Sequence, residues 1–121
     1  RSVLGAGPLL APEQKIVLDT DGARARAIAR PTVEYYLSRV NYVNNLKRDG
    51  WTDEDVAGSG SDALVDALAV HGDAAALAAG LTAHLDAGAD HVCAQVLTEA
   101  GGDPLRALEA VAQELGLSAA G

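Results

Sequence analysis

The chain of 121 residues contains no phenylalanine and no methionine, and its aromatic residues amount to only 3%. Large core-forming side chains therefore come mainly from leucine and valine, although alanine raises the hydrophobic fraction to 49%. A chain of this length can bury a modest core. The sequence is thus that of one small domain or of a piece of a larger one.

Cysteine and basic residues are also scarce. Cys93 is the single cysteine, which excludes a disulfide within the chain. Nine basic residues against 17 acidic ones give a net charge of −8, the wrong sign for binding nucleic acid or an anionic membrane. No segment has the length of a membrane span or the layout of a signal peptide. We therefore expect a cytoplasmic protein with neither a nucleic-acid nor a membrane partner.

The histidines and the cysteine do not indicate a reactive or metal-binding site. His71, His84 and His91 lack the spacing that metal ligands share, so we expect no metal. Cys93 lies in an apolar segment without a basic neighbour, which predicts a buried and unreactive thiol.

Two short apolar segments predict strands. Residues 15–21, "KIVLDTD", contain β-branched Ile16 and Val17 and are followed by Asp21-Gly22, which is typical of a turn. Residues 91–97, "HVCAQVL", are almost continuously apolar, which predicts a strand covered on both faces.

The rest of the chain predicts helices with polar N-caps. Asp21, Ser61, Asp73 and Asp103 each precede a segment of helical pattern, and Asp103 is followed by proline, which is favoured in a first turn. We expect Pro31 to kink or restart the first helix and residues 52–55 to begin another. Gly72 is predicted to end the helix that Ser61 caps. The predicted buried stripes of the last two helices are Leu77, Leu81 and Leu85, and Leu105, Leu108, Val111 and Leu115.

Two strands separated by helices indicate a parallel α/β fold, because parallel pairing requires a crossover connection. A right-handed crossover predicts that residues 15–19 and 92–97 are adjacent and parallel. Two strands alone do not form such a sheet. We therefore expect further strands to lie outside this sequence.

Three stretches carry a resemblance to a known family: "LGAGPLLAPEQKIVLDTDGARARAIARPTVEYYL", "NYVNNLKRDGWTDEDV" and "GSDALVDALAVHGDAAALAAGLTAHLDAGADHVCAQVL". Together they resemble the C-terminal part of luciferase-like oxidoreductases that use the deazaflavin coenzyme F-420. The resemblance implies an α/β fold that is the C-terminal fragment of a (β/α)8 TIM barrel, with the last two parallel strands, covering helices and a helical insertion at about residues 22–70. It also implies hydride transfer between the coenzyme and a small organic substrate.

The resemblance implies where the site residues lie. In such barrels the chemistry takes place at the carboxyl ends of the strands. That rule selects Asp19, Thr20 and Asp21 after the first strand and Gln95, Thr98 and Glu99 after the second. Most coenzyme contacts in the family come from earlier strands. Cofactor-binding and catalytic residues are therefore unassigned, and the isolated chain is expected to be inactive.

The stretch "YYLSRVNYVNNL" combines aromatic rings with neutral amides. Tyr42, Asn44 and Asn45 can line a pocket for a neutral organic substrate, and the resemblance sets this insertion over the mouth of the barrel. The alternative is helix packing in which the amides bind nearby carbonyl groups.

Three other functions stay open at this point. A monooxygenase of the same superfamily that uses flavin mononucleotide (FMN) has the same expected fold. The motif "VLDTDG" is similar to the start of haloacid-dehalogenase-like phosphatases, but Ala23 departs from their pattern and Asp21 suits a helix cap. A small non-enzymatic interaction domain would use its open strand edges to bind a partner or to form a homo-oligomer.

Overall fold

The computed structural model describes residues 1–117, which form three strands and five helices. In chain order these are β1 (Glu13–Leu18), α1 (Gly22–Leu37), α2 (Val40–Arg48), α3 (Asp62–Leu68), β2 (Ala69–Gly72), α4 (Ala74–Asp86), β3 (Cys93–Val96) and α5 (Leu105–Glu114). No helix in this part of the chain is both long and apolar enough to cross a membrane.

The three strands form one parallel sheet in the order β2-β1-β3. Lys15 lies opposite Ala69 in β2, and Glu13 lies opposite Cys93 in β3. The predicted parallel pairing of the two apolar segments is therefore confirmed. Both strands differ in length from the prediction, since β1 starts two residues earlier and ends at Leu18, and β3 covers only Cys93–Val96.

The strand β2 was not predicted. Residues 69–72 were expected to continue the helix that Ser61 caps, but that helix ends at Leu68. The expectation was wrong because Leu64, Val65, Leu68 and Ala69 have helical spacing, and a four-residue strand is too short to show its own period. Tertiary contacts decide the outcome, since Val70 packs against Gly80 of α4 and the backbone pairs with β1.

The two faces of β1 bury two separate clusters, because adjacent side chains of a strand point to opposite faces. Val17 packs with Ala25, Ala29 and Val33 of α1 and with α3. Ile16 packs on the other face with α4 and α5, through residues Leu77, Leu81 and Val111. Helices therefore cover both faces of the sheet, in agreement with the predicted parallel α/β class.

The predicted helix caps are present. The carboxylates of Asp21, Asp73 and Asp103 and the hydroxyl of Ser61 each accept a hydrogen bond from a backbone N–H two or three residues later. Helix α1 does not restart at Pro31 but runs through it.

No helix begins at residues 52–55. Asp55 instead accepts hydrogen bonds from the N–H of Thr52 at 3.0 Å and from the hydroxyl of Ser61 at 2.7 Å. Gly58 and Gly60 follow with φ of 60° and 88°, in the left-handed region that ends a helical turn.

Several residues predicted to be buried are exposed. Cys93, Ala94 and Gln95 lie at the surface, so neither the covering of β3 on both faces nor the buried thiol is correct. The buried part of the sheet centres on β1, and β3 lies at its margin with no strand of residues 1–117 on its outer edge. The helix stripes are also only partly buried. The exposed members are Leu85, Leu105, Leu108 and Leu115.

Candidate functional site

A cleft opens at the carboxyl ends of all three strands, with a volume of about 780 Å³. Its walls come from the ends of β1, β2 and β3 and from the first turns of the helices that follow them. Each of these helices is the next element after its strand, so parallel pairing brings the three connections to one edge of the sheet. The polar and charged residues that line the cleft are Asp19, Thr20, Arg24, Asp73, Thr98, Glu99, Asp103 and Arg106, and Gly102 also lines it.

Asp19 and Arg24 form an ion pair on one side of the cleft. Nη2 of Arg24 donates to Oδ1 of Asp19 at 2.8 Å, and Nε donates to Oδ2. The backbone N–H of Asp21 also donates to Oδ1 of Asp19 at 2.8 Å. The Arg24 guanidinium, followed by this N–H, holds the pKa of Asp19 below its usual value, so the carboxylate is ionised at neutral pH.

Replacing Arg24 with Gln is expected to raise the pKa of Asp19, because the carboxylate loses its cationic partner. In the wild type the folded-state pKa is the lower one. The stabilising effect of the pair is therefore present above about pH 4, the unfolded value, and is lost as the pH falls through the folded value. An NMR titration of the Asp19 carboxyl carbon measures the shift. Arg48→Gln, on α2 and outside the residues that line the cleft, is the control, and an unchanged Asp19 pKa in Arg24→Gln would contradict the assignment.

The loop between β3 and α5 forms the opposite wall. Its turn is closed by the N–H of Gly102, which donates to the carbonyl of Glu99 at 2.9 Å. Gly101 has φ of 77°, a conformation that glycine adopts without strain. A side chain at position 102 would lie 2.7 Å from Cβ of Thr98. The two glycines therefore allow the loop to fold tightly over Thr98 beside the cleft.

The structure brings four of the predicted site residues together. Asp19 and Thr20 follow β1, Thr98 and Glu99 follow β3, and all four line the cleft. Asp21 does not line it, because its carboxylate caps α1. Gln95 lies opposite Lys15 within the sheet, with its side chain at the surface.

Tyr42, Asn44 and Asn45 lie on α2 and do not line the cleft. Tyr42 stacks on Tyr36 with a ring separation of 4.8 Å, and Nζ of Lys15 lies 4.6 Å from the Tyr36 ring. Tyr36 is 14 residues along α1 from the cleft end, or about 20 Å at 1.5 Å per residue. The structure therefore does not bring these three residues together with Thr98 and Glu99. Tyr42 takes part in aromatic packing, and Asn45 accepts a hydrogen bond from Arg48 at 3.2 Å.

A second polar cluster lies outside the cleft lining. Arg26 donates to both carboxylate oxygens of Asp66, at 2.8 and 2.7 Å, and Nε2 of His71 lies 3.0 Å from Oδ1 of Asp66. Arg26, and to a lesser extent His71, lower the pKa of Asp66. The cluster connects α1, α3 and β2. Within residues 1–117, no three histidine, cysteine or acidic side chains are placed so that they can hold a metal ion.

Sequence reasoning missed the two basic residues of the cleft. Arg24 and Arg106 each occupy the first turn of a helix that follows a strand. The available signal was their position, because first-turn side chains after parallel strands face the edge where ligands bind. Asp73 and Asp103 were identified from the sequence as caps, but not as parts of the cleft.

The chain matches no protein-family model, no curated protein and no solved structure.

Proposed function

We propose that the chain is the C-terminal part of a luciferase-like oxidoreductase that uses coenzyme F-420, and that its cleft helps to bind the organic substrate. The observation that carries this proposal is the position of Asp19, Thr20, Thr98 and Glu99. All four line one cleft at the carboxyl ends of parallel strands, which is where enzymes of parallel α/β architecture place their ligands.

The proposal places a specific demand on the sheet. In a (β/α)8 barrel, consecutive strands are neighbours and the helices lie on the outside only. In this chain β1 lies between β2 and β3, and helices cover both faces. The proposal therefore requires that, in a longer protein, this strand order changes and the helices leave one face of the sheet. The open outer edge of β3 is one place where a further strand can pair.

The cleft does not suit the coenzyme itself. Four carboxylates and two guanidinium groups line it, and this acidic excess disfavours a ligand with several negative charges, such as coenzyme F-420. Bound elsewhere in the protein, the coenzyme would supply the hydride acceptor or donor. The residues of this chain would bind and orient the substrate, and Thr20 and Thr98 offer hydroxyl groups for that purpose.

The test uses a longer protein that continues the chain upstream of Arg1. We expect it to bind coenzyme F-420 and to oxidise the reduced coenzyme in the presence of a generic acceptor such as menadione, followed by absorbance. The 121-residue chain is the control and should not bind the coenzyme with micromolar affinity, which corresponds to about −8 kcal/mol. Absence of an upstream reading frame, or of coenzyme binding by the longer protein, would contradict the proposal.

Two alternatives give different results in the same experiment. Binding of FMN in place of the deazaflavin would indicate the monooxygenase of the same superfamily. A 121-residue chain that is stable, self-associates and gains no coenzyme binding from upstream sequence would indicate an interaction domain. The exposed residues of β3, Cys93, Ala94 and Gln95, lie on the edge through which such an association would form.

A further inference from the structure

The charged groups of the cleft differ in whether they have a hydrogen-bond or ion-pair partner within the protein. The carboxylates of Asp73 and Asp103 accept hydrogen bonds from the backbone N–H groups of Ala76 and Leu105, both at 2.9 Å. Asp19 is held by Arg24. These three carboxylates therefore have partners within the protein, and Arg24 already donates to one of them.

Arg106 is in a different situation. Its guanidinium donates no hydrogen bond and forms no ion pair with any group of residues 1–117, although the residue lines the cleft. Glu99 also has no side-chain bond in that part of the chain, but it lies within the electrostatic reach of Arg24. Arg106 is thus the cation of the cleft whose donors are available. A guanidinium presents five N–H groups in a planar fork that matches a carboxylate.

The inner part of the cleft is apolar. Val17, Leu18 and Val96 line it from the strands, Leu97 from the residue after β3, and Ile28 and Ala107 from the two helices on opposite faces of the sheet. The volume of about 780 Å³ falls in the range of ordinary small-molecule sites. The cleft also lies between β1 and β3, whose following helices α1 and α5 lie on opposite faces of the sheet, and such crevices are the usual ligand sites of open parallel sheets.

We propose that the cleft binds an organic acid with one negative charge, whose carboxylate pairs with Arg106 and whose apolar body lies against Leu18, Ile28 and Val96. The inference deepens the proposed function, because it rests on the cleft being the substrate site and names the class of substrate. A single charge is specified because Arg24 is paired with Asp19, which leaves Arg106 as the one guanidinium of the cleft without a partner among residues 1–117.

Three probes of nearly equal shape test the charge preference: 2-naphthoate, neutral 2-naphthamide and cationic 2-naphthylmethylamine. Binding to the 121-residue chain is measured by calorimetry and by NMR shifts of the cleft residues. We expect 2-naphthoate to bind at least tenfold more tightly than the amide. Equal affinities, tighter binding of the amine, or shifts confined to residues outside the cleft would overturn the proposal.

Arg106→Gln identifies the responsible side chain. The residue lies on the exposed surface of α5, so the variant should fold, and its circular dichroism checks this. We expect the affinity for 2-naphthoate to fall about tenfold, to the level of the amide, whereas amide binding stays unchanged. Arg48→Gln removes an arginine on α2 that does not line the cleft, and should have no effect. Full retention of naphthoate binding in Arg106→Gln would refute the role of Arg106.

These binding results are independent of hydride transfer. Selective naphthoate binding by the chain, together with a longer protein that binds no coenzyme, would retain the organic-acid site and reject the oxidoreductase. Coenzyme activity without a preference for the carboxylate probe would retain the oxidoreductase and reject the organic-acid site.

Discussion

Replacing Ile16 with Ala is expected to lower the free energy of unfolding by about 2–5 kcal/mol, the usual cost of truncating a buried isoleucine. Ile16 has no exposed surface and lies in the central strand, packed against Leu77, Leu81 and Val111. The core contains few large side chains, so the surrounding residues cannot fill the cavity. Small domains are stable by only about 5–15 kcal/mol, and this one change therefore removes a large share of the total. Urea denaturation followed by circular dichroism measures it.

Two other substitutions serve as controls for this prediction. Ile16→Val removes one methyl group and should cost about 0.5–1.5 kcal/mol. Leu105→Ala changes a side chain that is 59% exposed on α5 and should change stability by less than about 0.5 kcal/mol. If Leu105→Ala proved as costly as Ile16→Ala, the exposed stripe of α5 would have to be buried in solution, which contradicts the described packing.

Replacing Gly80 with Ala is expected to destabilise the protein by about 1–3 kcal/mol, the cost of overpacking a close contact. Alanine in the middle of a helix normally gains about 1 kcal/mol over glycine, so the expected sign is reversed. A Cβ atom at position 80 would lie 2.8 Å from Cγ2 and 2.9 Å from Cγ1 of Val70. Both methyl groups of Val70 are affected, so rotation of its side chain offers no relief and α4 must move away from β2. Thermal unfolding gives the measurement.

The double variant Val70→Ala/Gly80→Ala tests this explanation. Removal of the two methyl groups makes room for the new Cβ, so Val70→Ala should cost less in the Gly80→Ala protein than in the wild type. We expect a coupling of about 0.5–3 kcal/mol, as found for side chains in contact. Gly22→Ala is a matched helical control, since its Cβ would meet the nearest side chain, His71, at an ordinary 3.7 Å. Additive effects at positions 70 and 80 would refute the explanation.

The sequence predicts those parts of the fold that local chemistry determines. Polar caps are recognisable because one side chain satisfies a nearby N–H group, and Asp21, Ser61 and Asp73 all do so. The parallel pairing of β1 and β3 follows from a general rule of chain connection. In contrast, β2 depends on the contact between Val70 and Gly80, which lie on different elements. A strand of four residues is also too short to show an apolar period in the sequence.

The sequence predicts only those residues of the candidate site that a general rule selects, and not those whose position depends on packing. The rule that ligands bind at strand ends selects Thr20, Thr98 and Glu99 without any knowledge of packing. Arg106 requires knowledge of where α5 begins and which way it faces, and the pattern of apolar residues there favoured a different buried stripe. The position of Tyr42 depends on the path of the chain after α1, which the stacking on Tyr36 fixes.

Within residues 1–117 the central strand comes before both of its neighbours in the sheet, which follow much later in the chain. Lys15 pairs with Ala69, and Glu13 pairs with Cys93, 80 positions further along the chain. At a ribosomal rate of about 5–20 residues per second, β1 waits roughly 4–16 s before its second partner has been made. Until Ala69 has been made, both edges of this apolar strand lack the partners that they have in the folded sheet, and until Cys93 has been made one edge still does. Residues 13–18 are therefore exposed to pairing with another molecule during synthesis, and a chaperone that shields them would lower this risk.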